Sequence, residues 1–401
     1  MKILVLNYEY PPLGGGAGIA CEAIAQALAS RGHRVEVLTS GLEGLAADAE
    51  ADGVRVVRLE VGRAERHRGT LLQMARYVRV ASEAGARLSR EGGFDSALAF
   101  FGMPSGEVAR RIRHRTGLPY VVSLRGSDVP GHLSGGAAFR VLRGALGGRI
   151  ERVWREAASV ASVSDQLAEL ARARCPSLRP VVIPNGVTAC ATTRRDRRDG
   201  ALRLAWIGRM APAKGLDVLL RALASLPPDM PPWEAHLAGD GPLRARMETL
   251  ARRLGLGSRV RFLGWLPHER IGAFLSESDL FALASLDEGM PGVVLEAFAS
   301  GLPVVASRIR AMRDIVREGH NGLLADPGES APLSRAIERL LRDGALRARL
   351  GATARRDAQS YRWEHAAESY ERLLGAACGA ARATAADGSP SDAPVGASLC
   401  G

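Results

Sequence analysis

Two short stretches carry residue types and spacings that could do chemistry. The first is Gly208-Arg209-Met210-Ala211-Pro212-Ala213-Lys214-Gly215, which follows a predicted strand and precedes a predicted helix. Arg209 offers a planar fork for phosphate oxygens and Lys214 adds a compact point charge. The second is Glu288-Gly289-Met290-Pro291-Gly292-Val293-Val294-Leu295-Glu296. Pro291 suits a first helical position, so Glu288 precedes a helix and Glu296 falls in its second turn. Free N–H groups at Gly292, Val293 and Val294 would then take an anion at the helix start. Carboxylates so close to a phosphate would repel it, so their task is to accept hydrogen bonds from hydroxyls. Glu296 suits a ribose and Glu288 a sugar. The ligand that fits the whole set is a nucleotide-sugar. The competing readings are two solvated cations, Glu288 as a helix cap, and a glycosidase acid/base pair; the last leaves the cations without a task.

All but two of the 54 Lys and Arg residues are arginine, the exceptions being Lys2 and Lys214. A lysine kept mid-chain against that bias fits a site that wants a flexible point charge. Three further turns are weaker signals. In Tyr10-Pro11-Pro12-Leu13-Gly14-Gly15-Gly16-Ala17-Gly18 the glycines would let backbone N–H groups approach a phosphate at a helix start. Cys21 stands where a dinucleotide fingerprint has its last glycine. The next strand ends Leu38-Thr39-Ser40 without an acid for a ribose, which disfavours NAD. Ile183-Pro184-Asn185-Gly186-Val187 is a tight turn, and Gly239-Asp240-Gly241-Pro242 could wall a nucleobase.

The elements that must position these residues alternate. Strands are predicted at Ile3–Asn7, Val35–Thr39, Val54–Leu59, Ser96–Phe101, Tyr120–Leu124, Val160–Val163 and Val181–Ile183, with helices at Ile19–Ser30, Leu71–Ser89 and Ser105–Arg115. After a polar linker at 188–200, a second series has strands at Leu204–Gly208, Glu234–Ala238, Val260–Leu263, Leu280–Ala282 and Val304–Ala306. Its helices are predicted at Leu216–Leu226, Leu243–Leu254 and Gly292–Ser300. Such alternation predicts an α/β protein of two facing doubly wound domains, with ligands at the carboxyl ends of the strands. The expected boundaries are 1–187 and 201–358, a last helical segment at 359–378 and a disordered tail at 379–401, where Ala, Gly, Ser and Pro dominate.

Taken together the motifs resemble the family-4 retaining glycosyltransferases of GT-B architecture, over nearly everything from Lys2 to about Leu374. The resemblance is carried by Gly14-Gly15-Gly16, Arg31-Gly32-His33-Arg34-Val35, Pro184-Asn185-Gly186-Val187, Gly208-Arg209 with Lys214-Gly215, Gly239-Asp240-Gly241-Pro242, Glu288 with Glu296, and Gly301-Leu302-Pro303-Val304-Val305. It implies transfer of a sugar from a nucleotide-sugar with retained anomeric configuration and no required metal or cofactor. By matching position it implies two Rossmann-like domains, an acceptor domain first and a donor domain second, with the last helix crossing back onto the first. Arg209 and Lys214 would bind the diphosphate, Glu296 the ribose and Glu288 the sugar hydroxyls. Asp240 and Leu263, in Phe262-Leu263-Gly264, would lie near the base, and Gly16 would approach the phosphates. Gly15, Arg125 and Asn185 would line the acceptor side. Many members carry His-Gly-x-Asp after the fifth long strand; here the string is Arg125-Gly126-Ser127-Asp128. Asp128 is retained as a catalytic candidate. Arg125 would hold an anionic acceptor or the donor phosphate, or pair with Asp128.

The remaining composition bounds partners. Net charge is +11, which favours anionic ligands. The 52 arginines raise a nucleic-acid-binding alternative, but they are dispersed and no nucleic-acid module is evident. A phosphorylase-like or hydrolytic sugar enzyme is a third reading. The five cysteines are scattered without metal-ligand spacing, which fits a reducing cytosol. No apolar run is long enough to span a membrane, and Met1–Leu6 is too short for a signal peptide core. Leu71–Arg90 carries Arg76, Arg79, Arg87 and Arg90 beside Leu72, Ala75 and Val78. Such a helix can lie on an anionic membrane at its inner face, although a solvated face is preferred. The acceptor is expected to be a carbohydrate, a glycolipid of cell-envelope polysaccharide assembly, or a small molecule.

Overall fold

The computed structural model describes residues 1–65, 69–126, 128–131, 146–188 and 200–386, apart from the side chains of 384–386. It divides into two compact units, one combining Met1–Asn185 with the chain from Trp363 onward and the other comprising Gly186–Arg362.

The first unit is built on an eight-stranded sheet. Its strands are β1 (Lys2–Leu6), β2 (Arg34–Ser40), β3 (Asp48–Ala51), β4 (Val54–Leu59), β5 (Ser96–Phe100), β6 (Tyr120–Leu124), β7 (Ser159–Ser162) and β8 (Val181–Val182), in the order β3-β4-β2-β1-β5-β6-β7-β8. Every pairing is parallel except β3 with β4. The central strands are apolar along their length because helices cover both faces. Helix α1 (Gly16–Ser30) follows β1, and α2 (Leu71–Gly92) starts on a capping box of Thr70 and Gln73 and stops at Gly93, whose φ of 62° suits glycine. The strand order reverses between β1 and β5, which opens a crevice at their carboxyl ends.

The second unit has six parallel strands: β9 (Leu202–Ile207), β10 (Trp233–Ala238), β11 (Val260–Gly264), β12 (Leu280–Leu283), β13 (Val304–Ser307) and β14 (Gly322–Ala325). Their order, β11-β10-β9-β12-β13-β14, is that of a dinucleotide-type doubly wound sheet. Here the reversal lies between β9 and β12, which pair only at Leu204–Leu280 and Ala205–Phe281.

Several elements were not visible in the sequence. Strand β3 is polar and largely exposed, so it shows no apolar alternation. Strand β14 and the helices at Gly147–Glu156, Asp165–Arg174, His268–Ser276, Ser330–Arg342 and Gly344–Ala358 were also unassigned. The final helix is a correction: it runs from Trp363 to Ala386, past the point where a disordered tail was expected. Its end is alanine-rich, and alanine is the strongest helix former. Ala366, Ala367, Tyr370, Leu374 and Ala377 of this helix join the core of the first unit with Ile24, Ala25 and Leu28 of α1. The buried Tyr370 hydroxyl lies 2.6 Å from Ser123 Oγ, and Glu371 pairs with Arg31 at 2.6 Å. The rest of the expected tail and most of the expected linker, with Cys190 and Cys400, lie outside the described residues.

Candidate active site

At the carboxyl ends of β9, β10 and β11, glycines let three strand ends meet. Gly239 has φ of 133°, and a Cβ there would stand 1.9 Å from Gly208 O. Gly239 N–H donates to Gly264 O at 2.6 Å, and Gly208 N–H to Ala238 O at 3.0 Å. This seam leaves Arg209 exposed at the mouth of β9, and none of the described residues pairs with its guanidinium. A short 3₁₀ turn, Pro212–Lys214, then places Lys214. Gly215 ends that turn in the left-handed region at φ 57°, and a Cβ there would meet Ala284 O at 2.0 Å. The turn is therefore pressed against the exit of β12, and Leu286 N–H donates to Ala213 O at 2.7 Å.

That approach brings together two residues far apart in sequence. Lys214 Nζ donates to Glu288 Oε1 at 2.6 Å, and Ser285 Oγ donates to the same oxygen at 2.7 Å. Their side chains are 23% and 10% exposed, respectively. Lys214 thus stands ready and shielded, its charge shared with Glu288. Ser285 was not foreseen; a lone serine at a strand end carries no sequence signal.

The helix Gly292–Ala299 has no acid in its first turn and no side-chain cap. Two expectations are corrected. Pro291 is the N-cap residue rather than the first helical one, and Val294 N–H is taken by Pro291 O at 3.0 Å. The leading N–H groups left for a ligand are those of Gly292 and Val293. Nor is Glu288 a helix cap, since its carboxylate is committed to Lys214 and Ser285. Glu296 lies in the second turn. Its Oε2 is buried with no hydrogen-bond partner, and Oε1 lies 3.7 Å from His268 Nδ1. Burial pushes the Glu296 carboxyl up to about 7 and pushes the His268 imidazole below its usual value. A buried acceptor without a donor is costly unless a ligand supplies one. His268 was also missed, because it opens a helix that the sequence pattern did not reveal.

Asp240 is exposed. Its Oδ1 accepts from Gly241 N–H at 2.7 Å and its Oδ2 lies 3.2 Å from Arg244. Leu263 is the extra residue of a bulge: Leu237 pairs with Phe262 and Ala238 with Gly264, so Leu263 is skipped. Bulges re-aim side chains at sheet edges, and Leu263 is 40% exposed on edge strand β11.

In the first unit, Gly14 takes φ of 90° and folds the loop back on Glu9, whose side chain a Cβ would strike at 2.5 Å. Gly15 caps α1 without a side-chain hydrogen bond, and both Gly15 and Gly16 are exposed with open space where a Cβ would be. Cys21 is fully buried, and burial pushes its thiol up to about 12. Asp128 overturns an expectation. Its Oδ1 accepts from the backbone N–H groups of Arg125 and Gly126, both at 3.1 Å, and its Oδ2 from that of Gly102 at 2.7 Å. It ties two strand-end loops together and does not pair with the Arg125 guanidinium. Burial raises its carboxyl above the usual value, and the backbone donors pull it down. Arg125 instead donates to Asn185 Oδ1 and lies over the Phe100 ring, 4.5 Å from its centre. Among the described residues no three or more His, Cys, Asp or Glu are grouped to hold a metal, and no described helix is long and apolar enough to cross a membrane.

Residues 194–357 match the family of glycosyl transferases group 1, and residues 15–186 match the glycosyl transferase 4-like domain. The fold agrees: sucrose-phosphate synthase from Thermosynechococcus elongatus superimposes with a TM-score of 0.82 at 23% identity, over 95% of this chain and all of that one. The chain is a glycosyltransferase of GT-B type. Its motifs and domains resemble family 4. The glycosyltransferase is 40% identical to the lipopolysaccharide core biosynthesis glycosyltransferase LpsE of Rhizobium meliloti, over 36% of this chain and 41% of that protein. It is 29% identical to the 2-deoxystreptamine glucosyltransferase of Streptomyces kanamyceticus, over 88% of this chain and 97% of that one. Anabaena HepE, solved with UDP-glucose bound, matches with a TM-score of 0.73 at 23% identity over 94% of this chain and 99% of its own.

Proposed function

We propose that this glycosyltransferase moves a hexosyl group from a UDP- or GDP-sugar to an acceptor hydroxyl, with retained configuration and without a metal ion. The observation that carries the reading is the cluster at the β9/β12 switch point. There Lys214, shielded and held by Glu288, stands in one unit with exposed Arg209, the uncapped start of the helix Gly292–Ala299 and the orphaned oxygen of Glu296. Breaking the anomeric C–O bond puts negative charge on the diphosphate. Arg209, Lys214 and the N–H groups of Gly292 and Val293 stabilise that charge as it grows. Glu296 accepts from the ribose, which supplies the missing donor. When the phosphate draws Lys214, Glu288 is released to accept from a sugar hydroxyl. The departing phosphate oxygen takes the acceptor's proton, so no dedicated base is required. Asp240 and the bulged Leu263 flank the base.

The acceptor fits cell-envelope polysaccharide or glycolipid assembly at the cytoplasmic face of the membrane. Leu72 is 80% exposed at the start of basic helix α2, which suits a peripheral site. Calorimetry with UDP, GDP, ADP and dTDP, each with EDTA, tests the donor assignment. Saturable binding of one diphosphate supports it, and binding of none refutes it. NMR of the product's anomeric proton then tests retention.

A further inference from the structure

The crevice of the first unit holds a cation that the proposed chemistry does not use. Arg125 leaves the carboxyl end of β6 beside the end of β5. One of its terminal nitrogens donates to Asn185, and its plane lies over Phe100. Its Nε and Nη2 are buried and have no hydrogen-bond partner. Among the described residues no carboxylate lies within ion-pairing distance of it, and the nearest acid in sequence, Asp128, is spent on backbone N–H groups. A guanidinium held on one edge and stacked on one face, with two N–H groups unanswered, is costly in a closed protein. Those two groups form the parallel fork that matches an oxyanion.

The neighbouring backbone is shaped at some expense. Phe101, next after β5, takes φ of 72°, a left-handed conformation that bulky residues avoid. Strain of this kind persists where surrounding contacts enforce it, and it collects at ligand sites. The next N–H, that of Gly102, donates to Asp128, whose other oxygen accepts from the Arg125 N–H. One carboxylate therefore links the end of β5 to the origin of the arginine.

We infer that Arg125 is the seat of an oxyanion subsite in the first unit, taking a phosphate or carboxylate group on its Nε/Nη2 edge. Two sources supply that chemistry, an anionic second substrate or the donor's own diphosphate. The inference deepens the proposed transferase reading, since in either case the group belongs to a substrate of the transfer.

The test is a proton–nitrogen correlation spectrum of the arginine Nε groups in the full chain, titrated with inorganic phosphate and, separately, with UDP. The Arg125 signal is the one lost in Arg125→Lys; should that variant not fold, Asn185→Ala assigns it by displacing the same signal. A saturable shift with phosphate, weakened about tenfold in Asn185→Ala, supports the subsite. If the shift persists with UDP saturating, the anion belongs to the second substrate. If UDP itself shifts Arg125 and abolishes the phosphate response, it belongs to the donor. No shift with either ligand, while calorimetry shows UDP binding, overturns the subsite and leaves the donor reading intact. A phosphate shift without any nucleotide binding sustains the subsite and removes the donor reading.

Discussion

Replacing Lys214 by alanine separates its two tasks. Lys214 neutralises Glu288, whose side chain is only 10% exposed. Removing one partner of a fully buried pair costs about 3–5 kcal/mol. Lys214 is 23% exposed and Ser285 still donates to Glu288, so about 1–2 kcal/mol is expected here. For a unit of this size that lowers the melting temperature by about 2–8 °C. The second loss falls on the ligand. One charge-assisted hydrogen bond to phosphate contributes about 1.5–3 kcal/mol, so nucleotide affinity should fall about 10- to 150-fold. Turnover should fall by about a hundredfold or more, because charge on the diphosphate grows in the transition state. Adding Glu288→Gln removes the stranded carboxylate, so the double variant should regain the lost stability but not the lost affinity. Scanning fluorimetry reads the first quantity and calorimetry the second. Wild-type nucleotide affinity in folded Lys214→Ala refutes the assignment. So does recovery of affinity in the double variant, which would mean that Lys214 acts only by restraining Glu288.

The Glu296 carboxyl, raised to about 7, makes donor binding pH-dependent. Ionisation strengthens it as an acceptor, so affinity should rise between about pH 6 and 8, and Glu296→Gln should flatten the profile. For stability the sign is opposite. The folded state holds the proton to a higher pH than the unfolded chain, so this group's contribution is full below about pH 4 and is lost as pH rises through about 7. Glu296→Gln should therefore flatten that part of a stability–pH curve as well. Gly239→Ala would put a methyl 1.9 Å from Gly208 O, and urea unfolding should show a loss of about 3 kcal/mol or more; a loss below about 1 would mean that the seam yields easily. Asp128→Asn replaces one acceptor by an amide that faces N–H groups, so about 2 kcal/mol should be lost; a neutral result would contradict its loop-tying role.

Much of this arrangement was legible because it is local. Gly208-Arg209 and Gly239-Asp240-Gly241 sit directly after apolar strands, Lys214-Gly215 sits directly before a helix, and runs such as Leu204–Ile207 declare themselves by composition. The apolar runs of β1, β5, β6 and β12 were equally plain. Strand β3 was hidden because an exposed edge has no apolar pattern, and helices such as Gly344–Ala358 were hidden among arginines and alanines. Composition is misleading at the final helix, because alanine among glycine and serine suggests disorder while its helical propensity extends the helix to Ala386.

By itself the sequence determined which chemical groups are present and which strand ends carry them, since strand, turn and helix start are short-range consequences of residue type. Only the tertiary structure decided how those groups are charged and partnered. Lys214 and Glu288 are 74 positions apart and meet because Gly215 admits the Ala284 carbonyl. Asp128 braces two strand-end loops because Gly102, 26 positions away, presents its N–H. Glu296 acquired its raised proton affinity from burial. Pairing and desolvation depend on what surrounds a side chain in space, and chain order does not contain those distances.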